Sequence, residues 1–171
     1  MKKPGKPSIS QLNAEVKHRT EIVSEECLLD VVAALMQRVP NIDRNYDIPY
    51  IAGYSTDGRT IFIDRHMPKS FLKNGRRVAT DRFLATHEIV EKALLDQLEL
   101  HYLHAHQIAL RIEQAAVRAA GISWHAYNAF TKRYEKSIGS ERLTRVPRRL
   151  DLTPYRDEDD FALLKRMAVA D

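Results

Sequence analysis

From Asp81 to Leu98 the chain reads DRFLATHEIVEKALLDQL, a run without Gly or Pro in which apolar side chains recur at helical spacing. This predicts one amphipathic helix beginning near Thr80, with Asp81 close to its positive end. At about 100° per residue, Leu84, His87, Glu88, Glu91, Leu94, Leu95 and Leu98 fall on one stripe, the only one apolar enough to face a core. Three ionisable side chains therefore interrupt a face that the fold has to bury. A His and two carboxylates buried without partners would cost several kcal/mol in lost hydration. A divalent cation would compensate all three. The alternative is a satisfied core histidine at position 87, with Glu88 and Lys92 forming an exposed helical ion pair.

His87 and Glu91 are four residues apart and project side by side, the arrangement by which two ligands on one helical turn grip zinc. Glu88, next to the first of them, is placed to activate a metal-bound water. The run His87-Glu88-Ile89-Val90-Glu91 resembles the HExxH helix of the zincin metallopeptidases, with Glu in the second His position. The resemblance implies His87 as first ligand, Glu88 as general base and Glu91 as second ligand. A carboxylate in place of an imidazole changes the charge on the metal and its Lewis acidity. The order of elements, a helix, a hairpin, the motif helix and another helix, also resembles a small zincin over about residues 48 to 120. In that family a strand such as Thr60 to Asp64 lies along the cleft and can pair with an extended peptide.

A catalytic zinc needs a third protein ligand. On a helix expected from about Leu103 to Ala120, Tyr102, His106, Ala109, Glu113, Ala116 and Ala120 share a face. His106 is the first candidate. Glu113 is the second, as a ligand or as an acceptor for a ligating His, and zincins whose third ligand is a Glu on the following helix favour it. His101 and His104 fall on other faces and read as surface residues. This proposal requires the chain to turn between Asp96 and His104. One unbroken helix from 81 to 120 would leave His87 and His106 about 28 Å apart.

Elsewhere the sequence is less informative. Residues 1–10 read as a flexible basic tail, Ser24 to Pro40 as a helix in which Cys27 packs in the core, and residues 11–23 as helix or short strand. Tyr50 to Tyr54 and Thr60 to Asp64 flank Asp57-Gly58 and read as an antiparallel hairpin, with Pro68 closing the second strand. Residues 69–79 read as a surface loop. Gly121 ends the second helix, Ser123 opens a third from Trp124 to about Ser137, and residues 140–171 form an extended strap followed by a short helix from about Asp157 to Ala170. The expected fold class is α+β, mostly helical, with a small antiparallel hairpin or sheet before a central metal-binding helix. The expected divisions are a tail (1–10), a zincin-like domain (11–139) and a C-terminal segment (140–171).

With 44% apolar residues in 171, the chain can bury one core. No run approaches the roughly 20 apolar residues of a membrane span, and the N-terminal residues are followed by a polar run where a secretory signal would be apolar. A single cysteine fits a reducing compartment, so the expected location is cytoplasmic. Between Lys132 and Arg149 lie seven basic and two acidic residues, a pattern that can serve nucleic-acid binding. The net charge of only +4 and the acidic run Asp157 to Asp160 argue against such a partner. Glu15 and His18 have di-iron spacing, but one such motif does not make a di-iron site. The expectation is a zinc-dependent, peptidase-like hydrolase acting on a peptide or other amide, with Glu88 as the base. The rival is a noncatalytic interaction domain in which the same residues bind a structural metal or none, with residues 132–149 as its nucleic-acid-binding surface if it has one; a fourth ligand such as Glu113 would favour it.

Overall fold

The computed structural model describes residues 41–169. The expected tail, the helix from Ser24 to Pro40, Cys27 and the Glu15 and His18 pair lie outside the described residues.

Asp57-Gly58 does form the hairpin turn, with Gly58 at φ 65° and Asp57 Oδ1 accepting from the Arg59 amide at 3.1 Å. It joins β2 (Ala52–Tyr54) to β3 (Thr60–Ile63) in an antiparallel pair with Tyr54 opposite Ile61. A further strand, β1 (Asn41–Asp43), pairs with β3 in parallel, so the sheet order is β1-β3-β2. Every residue of β3 is buried. The strand that the zincin resemblance puts along the cleft is thus the middle of the sheet, with both edges paired, and β2 is the strand that borders the site. Asp64 turns the chain immediately after β3, well before Pro68, because its carboxylate accepts from the amides of Ile48 and His66 at 2.7 and 2.8 Å.

Residues 69–79 are not a loop but a second hairpin, β4 (Ser70–Lys73) and β5 (Arg76–Ala79). Asn74 and Gly75 both adopt positive φ, 49° and 74°, as a two-residue turn matched to strand twist requires. Phe71 faces Val78 across the pair and both pack on Phe83 and Tyr127, while the three basic side chains of Lys73, Arg76 and Arg77 line up beyond them.

The motif helix, α1 (Asp81–Leu98), has Thr80 as its N-cap residue. From Phe83 to Lys92 it is buried on every side. Leu84, Ala85 and Ile89 pack on Tyr54, Ile61 and Ile63 of the sheet, and Val90 packs on Ala109 and Ile112 of α2 (Tyr102–Ala119). The end of the apolar stripe emerges into solvent, where Leu98 is 62% exposed. Between the two helices Glu99 takes a left-handed conformation, φ 50°, and its amide bonds to the Leu94 carbonyl. His101 then caps α2 through Nδ1, and Asp157 Oδ2 accepts from the Tyr102 amide at 2.9 Å. The chain reverses without Gly or Pro because side chains and one αL residue satisfy both helix ends.

Helix α3 (Trp124–Ser140) starts at Ser123 as expected but continues through Gly139, held by Ile138 buried in the core beside the sheet. Residues 141–152 run extended and bridge back to β2, with Ser55 opposite Leu150. The end of the chain holds two short helices where one was expected, α4 (Thr153–Asp157) and α5 (Phe161–Val169). Pro154 fits the first turn of α4, and Asp160 caps α5 by accepting from the Leu163 amide at 3.1 Å, which forces the break between them. Leu143, Leu150, Tyr155, Leu163 and Met167 cover Ile48 and Phe62 on the other side of the sheet. The fold is α+β, as expected. Among the described residues no helix is long and apolar enough to cross a membrane.

Candidate metal centre

One helical turn of α1 sets His87 and Glu91 side by side, and the antiparallel return of α2 brings His106 opposite them. His87 Nε2 lies 3.1 Å from His106 Nδ1 and 3.3 Å from Glu91 Oε2, and His106 Nδ1 lies 3.0 Å from the same Glu91 oxygen. A tetrahedral zinc with bonds near 2.0–2.1 Å has ligand-to-ligand edges of about 3.3 Å. The three atoms therefore form a triangle of the size that one face of such a site requires, and the donor set of two imidazoles and a carboxylate suits zinc. His87 and Glu91 are buried, at 7% and 3% exposure, whereas the side chain of His106 is 34% exposed and forms the open side.

Glu113 stands behind this group. Its Oε2 accepts from His87 Nδ1 at 3.1 Å and its Oε1 accepts from the Tyr127 hydroxyl at 2.6 Å. In the neutral imidazole that contact puts the proton on Nδ1 and leaves the Nε2 lone pair facing Glu91 and His106. Burial opposes the charged form of His87, but hydrogen bonds to Glu113 and Glu91 overcome it and hold the imidazole well above its usual pKa. Burial likewise pushes Glu91 up, and the hydrogen bonds from His106 and His87 outweigh it, leaving its carboxyl below the usual value.

Glu88 is not on the surface and does not pair with Lys92. It is buried on the wall of a cavity of about 550 Å³ that also holds His87, Glu91 and His106. Burial first, then repulsion by Glu91 and Glu113 against the attraction of His87, pushes its carboxyl up to about 8. Among the described residues it has no hydrogen-bond donor. Lys92 instead bonds Asp96 at 2.8 Å and Asp151 at 2.9 Å, with its ammonium 5.5 Å from the Tyr54 ring.

Four tyrosines complete the cavity. Tyr54 donates to Glu91 Oε1 at 3.0 Å, Tyr102 places its hydroxyl 3.4 Å from His106 Nδ1, and Tyr50 and Tyr155 pack ring to ring 4.6 Å apart. Sequence reasoning placed only Tyr102 near the site, through the helix face it shares with His106. Nothing in the β2 sequence marks Tyr54, because its role depends on which strand lies against α1.

His101 and His104 are exposed, their rings 6.5 Å apart. Asp47, Asp64 and His66 form a second grouping of ligand-type atoms, but Asp47 Oδ2 already accepts from Thr144 and Arg145, Asp64 from two amides, and His66 pairs with Glu141. In the acidic run, Asp157 accepts from the Tyr102 amide at the start of α2 and Asp160 from the Leu163 amide at the start of α5. Within the basic run, Arg145 lies over the Tyr46 ring at 5.0 Å and Arg149 pairs with Asp57 at 3.5 Å.

No protein family matches the chain, and no curated protein or solved structure matches it either.

Proposed function

We propose that the protein is a zinc-dependent hydrolase acting on a peptide or other amide, with His87, Glu91 and His106 holding the metal and Glu88 carrying the proton. The observation that carries this reading is a triangle of three ligand atoms beside a buried, unpaired carboxylate on the wall of one cavity. When bound, zinc supplies Lewis acidity that polarises an amide carbonyl and lowers the pKa of water to about 7. Glu88 takes a proton from the attacking water and returns it to the departing amine. Tyr102 offers a neutral phenol donor at the same wall, its ionisation pushed far up first by burial and then by Glu91 and Glu88. Glu113 orients His87. With Glu113 engaged by Tyr127, three ligands remain among the described residues, which supports an open site over a closed structural one. The single cysteine of the chain fits a reducing compartment, and the proposed location is cytoplasmic. Nucleic acid has no part in this reading.

The test is Glu88→Gln, which keeps shape and hydrogen bonding but removes the proton acceptor. At matched zinc content, turnover of a peptide library should fall about 100-fold or more while metal content and melting temperature stay near wild type. Equal turnover would refute the role of Glu88, and no turnover by zinc-loaded wild type would favour the noncatalytic, metal-stabilised domain.

A further inference from the structure

Two buried carboxylates flank His87, and each gives one oxygen to a phenol. Tyr54 reaches from β2 to Glu91 Oε1 at 3.0 Å, which leaves Oε2 to face His87 and His106. Tyr127 reaches from α3 to Glu113 Oε1 at 2.6 Å, which leaves Oε2 for His87 Nδ1. Both tyrosines are fully enclosed, at 1% and 0% exposure. Tyr54 is fixed from two further directions, by its place opposite Ile61 and by the Lys92 ammonium over its ring. Tyr127 is wedged between Phe83 and Trp124, with ring centroids 5.4 and 5.7 Å away.

A carboxylate can ligate a metal through one oxygen or through both. If Glu91 were free to chelate, its second oxygen would fill the position that a hydrolytic zinc keeps for water and substrate. We propose that Tyr54 and Tyr127 are positioning residues of the metal centre: Tyr54 confines Glu91 to one-oxygen ligation and so keeps a coordination position open, and Tyr127 locks Glu113 against His87 and so sets metal affinity. The inference rests on the zinc reading above. A merely structural pair of buried hydrogen bonds would stabilise the fold without changing the metal's surroundings.

Cobalt(II), bound in place of zinc, separates the two because its visible absorption is intense when four-coordinate and weakens as the coordination number rises. Wild type should show the intense band. Tyr54→Phe should lower its intensity severalfold as Glu91 becomes bidentate, with cobalt still bound. Tyr127→Phe should keep the wild-type band but weaken cobalt affinity by about 10-fold or more, in the range expected when a partner behind a ligand is removed. Melting of the metal-free proteins reports on folding separately. If both variants bind cobalt with wild-type spectrum and affinity and differ only in melting temperature, the proposal is overturned. A wild-type band as weak as that of cobalt in water overturns it even if Tyr54→Phe does not fold. Wild type that binds neither cobalt nor zinc overturns the zinc reading itself, and this inference with it.

Discussion

His87 and His106 are 19 positions apart in the chain, yet Nε2 of the first and Nδ1 of the second are 3.1 Å apart. Their meeting depends on the reversal between α1 and α2, and the electrostatics at that point depend on Glu91, whose Oε2 contacts both rings.

The wild-type protein is expected to bind about one zinc per chain. At a zinc concentration a thousand times Kd, binding should stabilise the fold by about 4 kcal/mol, because only the folded state presents the three ligands together. His87→Ala and Glu91→Ala should each abolish both the bound zinc and the gain in melting temperature. Elemental analysis and calorimetry with and without zinc check this, and an unchanged gain in either variant would remove that residue from the site.

Much of this arrangement was legible in the sequence. His87, Glu88 and Glu91 stood out because polar residues on an apolar stripe demand a partner, and α1 ends where the pattern ends. The Asp57-Gly58 hairpin was readable for a local reason, the φ values its turn needs. The hairpin of residues 70–79 carried the same kind of signal in Asn74-Gly75, but its three basic side chains masked the alternation that half-buries Phe71 and Val78. The position of Glu113 was not decidable, since a carboxylate two turns from His106 can ligate or support equally well. The hydroxyl that engages Glu113 comes from Tyr127, on a helix whose packing no local pattern reports.

The turn between α1 and α2 gives a second prediction. Glu99 occupies the left-handed position that glycine usually fills at a helix end, φ 50°. Glu99→Gly should relieve that conformation and raise stability by up to about 1 kcal/mol, with zinc binding unchanged. Chemical denaturation of the metal-free protein measures it, and a loss of stability would show that the Glu99 side chain contributes more than its backbone costs.

Acid stability should depend on Asp47. Burial pushes its carboxyl up, but bonds from the backbone and hydroxyl of Thr144 and the amide of Arg145, with Arg65 nearby, outweigh burial and hold it below the usual value of 3.8. A carboxyl depressed in the folded state favours folding above its unfolded pKa and loses that contribution as pH falls through its folded pKa. Wild type should therefore lose melting temperature steeply below about pH 4. Asp47→Asn should melt lower at pH 7 and show a shallower decline in acid. Parallel pH profiles for the two proteins would exclude Asp47 as a source of the effect.

Lys92 clasps together parts of the chain that are made at different times. Its ammonium joins Asp96, one turn along α1, to Asp151 in the strap, and Asp151 donates its amide to the Tyr54 carbonyl on β2. The three residues of the triangle have all been synthesised by position 106, but the cavity beside them is walled also by residues of α3 and, later still, by Asp151, Pro154, Tyr155 and Glu158. A growing chain on the ribosome thus has the three side chains of the triangle available well before the chamber around them closes, and the walls from α3 and from residues 151–158 are added after them.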